Sequence, residues 1–213
     1  MGTRADYLQK IRERFSQSAE TKRRTAEECM GPILAAAELI AGTFRSGGKV
    51  LLCGNGGSAA DCQHMAAEFM SRFSRDFDRS ALPAIALTTD TSFLTAFAND
   101  CGFDGIFERQ VEGLGKPGDL LIAISTSGNS ANVIRAVKAA AKASMRTIAL
   151  TGKNGRLAGV AHVTISVPSA DTQRIQETHL AIEHVLCELV ESMLFGQRDN
   201  VMEMVIGRAH NDH

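Results

Sequence analysis

A hydroxyl-rich segment with the sequence Ser-Thr-Ser-Gly-Asn-Ser occupies residues 125–130, between a short apolar run and a helical pattern. A helix N-terminus presents free backbone N–H groups and a partial positive charge, so it attracts anions. The four hydroxyls of this segment, which we call the serine loop, add hydrogen-bond donors, and its glycine adds no bulk. One hydroxyl would be enough to cap the helix. The serine loop therefore predicts a phosphate site rather than a cap alone.

A glycine-rich turn, residues 54–59 with the sequence Gly-Asn-Gly-Gly-Ser-Ala, also follows an apolar run and opens a helical pattern. This segment, the glycine loop, fits the loose Gly-x-Gly-x-x-Gly/Ala pattern of dinucleotide sites. Such sites also need an acidic residue about 20 positions further on, after a second strand. Asp76 and Asp78 follow a helical pattern instead, and Asp90 lies too far along the chain. We therefore expect the glycine loop to let the backbone approach a sugar.

Two helical patterns carry side chains that could move protons or bind a metal. His64 and Glu68 are four residues apart directly after the glycine loop, so they share one helix face. A carboxylate there could move a proton between adjacent sugar carbons, and a histidine could bind or orient a metal. Gln176, His179 and His184 lie off the apolar face of the last helix. The alternative for each of these residues is an ordinary solvent-exposed position.

Alternating short apolar runs and helical patterns define the elements that must position these residues. This alternation predicts an α/β fold with a parallel sheet and helices on both faces. The predicted strands are residues 49–53, 84–87, 120–124, 147–150 and 162–167, and the helical patterns cover about 7–44, 59–73, 92–98, 107–114, 130–143 and 171–194. Ligands of open α/β sheets bind beyond the carboxyl ends of the strands. The glycine loop, residues 88–90, the serine loop and residues 151–153 should therefore meet there.

Length and composition fit one globular domain. The chain has 213 residues, of which 44% are hydrophobic, and this suffices for one sizeable core. We predict a single domain over residues 1–196 with an N-terminal helical segment over about 1–46. The tail, residues 197–213, is polar apart from an apolar patch at 201–206. The pattern leaves open whether this tail frays or forms a short docking helix.

Charge, hydropathy and cysteine content narrow the partners and the location. The formal net charge is −1 and the clusters of Lys and Arg are short, which disfavours nucleic acid as a partner. No run approaches 18 apolar residues and no apolar run follows the first residues, so we expect no membrane span and a cytoplasmic location. The five cysteines are odd in number and include no Cys-x-x-Cys pair, so we expect reduced thiols.

Four motifs together resemble the bacterial sedoheptulose 7-phosphate isomerases, also called phosphoheptose isomerases, of the sugar isomerase (SIS) domain family. They are Cys-Gly-Asn-Gly-Gly-Ser at 53–58, Asn-Asp at 99–100, the serine loop with its flanks at 124–134, and Arg-Ile-Gln-Glu at 174–177. The resemblance covers residues from about 30 to 197. It implies a three-layer sandwich around a flavodoxin-like five-stranded parallel sheet, with N-terminal helices. It also implies a homotetramer with active sites at subunit contacts.

The resemblance also assigns roles to individual residues. Glu68 and His184 match the catalytic pair, and one zinc ion per subunit is implied at His64, Glu68, Gln176 and His184. The implied substrate-binding residues are Asn55, Gly56, Gly57, Ser58, Glu68, Arg72, Asn99, Asp100, Ser125, Thr126, Ser127, Ser130 and Gln176. Spacing alone does not favour Gln176 over Glu177, or His184 over His179. It also leaves open which subunit supplies each ligand, and whether zinc is catalytic or structural.

The implied activity is the interconversion of D-sedoheptulose 7-phosphate and D-glycero-D-manno-heptose 7-phosphate through an enediol. In the family this is the first step towards ADP- or GDP-heptose for lipopolysaccharide and related surface glycans. The alternative is a non-enzymatic SIS-domain regulator that binds the bacterial replication initiator. That regulator lacks the carboxylate at the position of Glu68 and the imidazole at the position of His184. The presence of both residues here favours the isomerase.

Overall fold

The computed structural model describes residues 2–75 and 78–196 of the chain. Helices and strands alternate along these residues, as the apolar runs predict. The elements are α1 (Arg4–Arg45), β1 (Val50–Gly54), α2 (Gly57–Met70), β2 (Ala84–Ala86), α3 (Thr91–Cys101), α4 (Ile106–Leu114), β3 (Leu120–Ser125), α5 (Ala131–Lys142), β4 (Arg146–Gly152), β5 (Val163–Val167) and α6 (Thr172–Phe195). Two short 3₁₀ turns, Phe103–Gly105 and Arg156–Gly159, complete the described elements.

The five strands form one parallel sheet in the order β2-β1-β3-β4-β5. This is the flavodoxin-like order: β2 is added on one side of β1, and β3, β4 and β5 are added on the other side. Every residue of β1 and β3 is buried, which explains their unbroken apolar sequences. One apolar core lies between the sheet and α1, α2 and α6, and a second lies between the sheet and α4 and α5. The predicted three-layer α/β sandwich is confirmed.

The predicted N-terminal helical segment is one continuous helix of 42 residues, α1. Thr3 and Asp6 form a capping box at its start. Its second half buries Ala36, Ala37 and Ile40 against the core. In its first half, apolar side chains remain exposed on one face, and these are Tyr7, Leu8, Ile11 and Phe15. Within residues 2–75 and 78–196, the first half of this helix therefore has no apolar partner.

Four other predictions, from composition and hydropathy, have different outcomes. All five cysteines are free thiols, and Cys101 alone among them is exposed, so the prediction of reduced thiols is confirmed. Among the described residues, no helix has the length and hydropathy needed to cross a bilayer. The tail at 197–213 lies outside the described residues, so its two alternatives stay open. The cytoplasmic location also stays a prediction.

Candidate active site

The glycine loop turns sharply from the end of β1 into α2, and this turn depends on glycine. A Cβ on Gly54 would come within 2.7 Å of the backbone oxygen of Ser58. Gly56 has a φ of +58°, in the region that residues with a side chain rarely adopt. The turn therefore starts α2 directly at the carboxyl edge of the sheet. His64 and Glu68 lie on the helix that follows.

A pair of amides joins the glycine loop to the start of α5. Asn55 Nδ2 donates to Asn132 Oδ1, and Asn132 Nδ2 donates to Asn55 Oδ1, both at 2.9 Å. Asn132 Oδ1 also accepts from the backbone N–H of Val133. Asn55 was predicted as a site residue, whereas Asn132 was not. The signal for Asn132 was its place in the motif at 124–134, since an asparagine in the first turn of a helix is otherwise unremarkable.

The hydroxyls of the serine loop converge on one another. Ser125 Oγ lies 3.0 Å from Ser130 Oγ and 3.5 Å from Ser127 Oγ. Ser130 occupies the N-cap position of α5, but its side chain makes no capping hydrogen bond. The alternative that Ser130 caps the helix with its side chain is therefore wrong. A group of hydroxyls beside a helix N-terminus can instead bind an anion such as phosphate.

The serine loop packs closely on the segment after β4. Gly128 has a φ of +62°, and a Cβ there would come within 2.5 Å of the Cα of Gly155. A cavity of about 290 Å³ opens beside this contact. It is lined by the serine loop, the residues after β4 and the start of α6, namely Thr126, Ser127, Asn129, Gly152, Lys153, Asn154, Ser169, Ala170, Thr172 and Ile175. The predicted meeting of the serine loop with residues 151–153 is confirmed.

The helices α2 and α6 bring three of the predicted residues together. The Nε2 atoms of His64 and His184 lie 2.9 Å apart, and their rings meet edge to face at 5.1 Å between centroids. Glu68 Oε1 lies 3.6 Å from His64 Nε2. His64 and His184 are separated by 120 residues in sequence. The packing of α2 on α6 thus creates a cluster of two imidazoles and one carboxylate.

Gln176 is held by a carboxylate that the sequence did not reveal. Its Nε2 donates to both oxygens of Asp61, at 2.8 and 3.0 Å. With Nε2 engaged in this way, the amide Oε1 is the atom left to bind another group. Burial raises the pKa of Asp61, and the hydrogen bond from Gln176 and the charge of His64 oppose that rise. Asp61 therefore orients Gln176 beside the His64 cluster.

Two further ionisable residues of α6, His179 and Glu183, are fully buried. Burial raises the pKa of Glu183 to about 9, and the charge of Asp61 adds to this. Burial lowers the pKa of His179 to about 4, with a backbone contact to Thr151 acting in the opposite direction. Both side chains are therefore neutral near pH 7. The solvent-exposed alternative is wrong for His179, which lies in the interior and away from the His64–His184 contact.

The remaining predicted residues do not join the cluster within one chain. Asn99 and Asp100 are exposed at the end of α3, where Asn99 Nδ2 donates to Asp100 Oδ1 at 2.8 Å. Over residues 2–75 and 78–196, no hydrogen bond links them to the serine or glycine loop. Arg72 is exposed just after α2 and, within the same residues, has no ion pair. Ser58 is buried in the first turn of α2.

The donor types of the cluster suit zinc, although they are not arranged as a finished metal site. Across the described part of the chain, no three His, Cys, Asp or Glu side chains are placed so as to hold a metal ion. Donors around a tetrahedral zinc lie about 3.3 Å apart, given zinc–ligand distances near 2.0 Å. The His64–His184 and His64–Glu68 separations of 2.9 and 3.6 Å lie on either side of that value. Small side-chain movements would bring both separations to the donor spacing of about 3.3 Å around zinc.

Comparisons with known proteins point to one family. The SIS domain profile matches residues 9–152 of this chain. A phosphoheptose isomerase from Roseiflexus sp. (strain RS-1) is 56% identical over 179 residues, covering 84% of this chain and 90% of the relative. A phosphoheptose isomerase from Aquifex aeolicus (strain VF5) is 56% identical over 188 residues, covering 88% of this chain and 97% of the relative. The solved structure of phosphoheptose isomerase from Neisseria gonorrhoeae has a TM-score of 0.82 at 45% sequence identity. The match covers 87% of this chain and 99% of that structure's chain.

These three matches extend over 90%, 97% and 99% of the respective relatives. The strand order and the layers agree with the SIS fold that the motifs imply. The chain belongs to the phosphoheptose isomerase family of SIS-domain proteins.

Proposed function

We propose that this chain is an isomerase that interconverts D-sedoheptulose 7-phosphate and D-glycero-D-manno-heptose 7-phosphate. The observation that carries the proposal is the cluster of His64, Glu68 and His184, which forms where α2 packs on α6. Membership of the phosphoheptose isomerase family supports the same substrate class. The product would enter heptose synthesis for surface glycans.

The reaction needs one group that acts on carbon and one that acts on oxygen. Glu68 removes a proton from C1 of the ketose to give an enediol, and then returns a proton to C2 to give the aldose. His184 gives a proton to the oxygen on C2 and accepts the proton of the hydroxyl on C1. Groups positioned in this way contribute about 10²- to 10⁴-fold in rate.

The serine loop holds the other end of the substrate. The hydroxyls of Ser125, Ser127 and Ser130 converge beside the N-terminus of α5, where backbone N–H groups also point outward. A phosphate at this position would leave the sugar chain to reach towards α2. Phosphate binding by this loop does not by itself distinguish an enzyme from a non-enzymatic protein of the same fold. The distinction between an enzyme and a regulator depends on Glu68 and His184.

We also propose that one zinc ion per subunit binds at His64, Glu68, Gln176 and His184. The ligand types support this, and Asp61 leaves the amide oxygen of Gln176 available as the fourth ligand. A bound zinc would act as a Lewis acid that polarises substrate oxygens. The residues of this chain supply the other functions, since Glu68 moves the carbon-bound proton and the serine loop orients the substrate.

A homotetramer with sites at subunit contacts is proposed from two features of the single chain. The first half of α1 exposes an apolar face that includes Phe15, which is 75% exposed. Arg72, Asn99 and Asp100 are exposed and, within the described residues, make no hydrogen bond to His64, Glu68 or His184. Contacts between copies would bury the apolar face and could bring these polar residues to the site of a neighbour.

The proposal is tested by incubating purified protein and zinc with sedoheptulose 7-phosphate in D₂O. We expect the aldoheptose 7-phosphate to appear with solvent deuterium at C2, as seen by ¹H NMR, because the enediol is reprotonated there. The alternative function would instead show binding to the replication initiator without conversion. Absence of the aldose with intact, metal-replete protein would refute the isomerase.

A further inference from the structure

A buried ion pair lies close to the proposed catalytic residues and takes no part in the chemistry described above. Arg79 lies in the segment between α2 and β2, and Glu191 lies on α6. Their side chains are 0% and 1% exposed. A buried ion pair adds little net stability, because removing two charges from water costs about as much as their attraction returns. The role of the pair therefore depends on the contacts that it makes with its surroundings.

Arg79 closes the end of α2. Its Nη2 donates to the backbone oxygen of Glu68 at 2.8 Å, and its Nη1 donates to that of Phe69 at 2.9 Å. Since α2 ends at Met70, both carbonyls belong to the last turn, which has no partners within the helix. One of the two belongs to the proposed base. Arg79 thus fixes the backbone from which that carboxylate projects.

Glu191 holds the segment that leaves α2. Its Oε1 accepts from the backbone N–H of Phe73 at 2.9 Å and from Arg79 Nε, and its Oε2 accepts from the backbone N–H of Ser74 at 3.0 Å. Burial alone would raise the pKa of Glu191, but these donors lower it, so the carboxylate is ionised. The ring of Phe73 lies 5.8 Å from the ring of His184. Glu191 therefore positions the ring that packs on the second catalytic residue.

The ion pair joins the two helices whose packing forms the cluster. Glu191 follows His184 by about two helical turns, so both point to the same side of α6. We propose that Arg79 and Glu191 are positioning residues that set the separation of Glu68 and His184 and thereby the rate of isomerisation. This inference rests on the proposed function. It assigns the pair no contact with the substrate.

The main test is the double substitution Arg79→Met with Glu191→Met. It removes both charges and leaves apolar side chains of similar length, a change that is often neutral for stability. The contacts with the end of α2 and with Phe73 are lost, however, so we expect a lower thermal unfolding midpoint in a protein that is still folded at the assay temperature. For the same reason kcat should fall about tenfold to a hundredfold, as for other residues that orient a site. KM should stay close to wild type, because the serine loop is untouched.

A second variant, Arg79→Lys, keeps the ion pair and serves if the double variant does not fold. A lysine amine lacks the planar fork that reaches Glu191 and both carbonyls at once. We expect its kcat to fall less than that of the double variant. The control is Lys49→Met, which breaks a separate, partly buried ion pair with Asp119, at the residues just before β1 and β3. It should lower stability and leave kcat unchanged.

A readout without substrate separates this inference from the proposed function. The Nε2 atoms of His64 and His184 lie 2.9 Å apart, so a shift of α2 against α6 should change their imidazole ¹⁵N resonances. We expect the change in the Arg79 variants and not in Lys49→Met. Wild-type kcat or unchanged imidazole resonances in a folded Arg79 variant would overturn the inference. If wild type itself converts no substrate, the proposed function fails, and the resonances still decide the positioning role.

Discussion

Side chains at the site obtain their orientation from polar partners behind them. Asp61 orients Gln176, and Asn132 orients Asn55. The spacing of His64 and Glu68 predicted one shared helix face from sequence, and the structure confirms that they lie close together. The partners could not be predicted in this way, because a buried carboxylate or amide that orients a neighbour has the same sequence pattern as a solvent-exposed one.

Stability should depend on pH through Glu183. Its pKa is near 9 in the folded protein and 4.5 in the unfolded chain, so the folded state holds one more proton between these values. The free energy of unfolding should therefore fall as pH rises from 7 to 9, by up to about 1.4 kcal/mol per unit. His179, with its folded pKa of about 4, acts in the opposite direction below pH 6.5. Near pH 9 buried thiols such as Cys53 act in the same direction as Glu183, because burial raises their pKa, so the comparison with a Glu183 variant is needed to isolate Glu183.

Urea unfolding of wild type and of Glu183→Gln at pH 7, 8 and 9 measures this dependence. Glutamine keeps the shape of the side chain and carries no titrating proton, so we expect a flatter pH profile. Equal slopes for the two proteins would show that Glu183 is ionised in the folded state.

Removal of zinc should affect both activity and stability. After dialysis against a chelator, we expect kcat and the thermal unfolding midpoint to fall together, and added zinc to restore both, because metal that binds only the folded state stabilises it. Metal analysis should find one zinc per chain in wild type and less in His64→Ala. A zinc-free protein with full activity would show that zinc has no catalytic role.

At the scale of elements, the carboxyl ends of the strands determine where the loops lie. The strand prediction succeeded because β1 and β3 are buried on both faces, so their apolar runs are unbroken. The position of α6 against α2 was not predictable, since it depends on contacts between residues more than 100 positions apart, such as His64 with His184 and Arg79 with Glu191. The geometry of the site follows from that packing.

Ser130→Ala tests the serine loop as a phosphate site. Loss of one hydrogen bond to a charged group costs about 1.5–3 kcal/mol, so KM for the substrate should rise roughly tenfold to a hundredfold. The stability of α5 should be preserved, because Ser130 makes no capping bond. Ser46→Ala, just after α1 and away from the site, is the control. Loss of stability with an unchanged KM would indicate a structural role instead.

At the scale of the whole molecule, the apolar face of α1 is exposed and has no partner among the residues that the structure describes. A surface that carries Tyr7, Ile11 and Phe15 on one side of a helix is typical of an interface between chains. The sequence predicted the helix, but the exposure of this face is visible only in the folded chain. The tetramer itself was implied by the family resemblance.

Phe15→Glu should weaken assembly by placing a charge on this face. We expect sedimentation analysis to give a tetramer for wild type and smaller species for the variant. Activity should fall with assembly if sites lie at subunit contacts. The control is Gln9→Glu, which adds the same single negative charge at an exposed position on the opposite side of α1. A wild-type monomer with full activity would contradict the proposed assembly.

The most direct measurement compares kcat/KM of wild type and Glu68→Gln for the conversion of sedoheptulose 7-phosphate. Glutamine preserves the shape of the side chain and cannot take up the proton, so we expect kcat/KM to fall by about 10² to 10⁴, with the fold and phosphate binding retained. Either no conversion by metal-replete wild type, or a wild-type rate for Glu68→Gln, would contradict the assignment of this chain as an isomerase with Glu68 as its base.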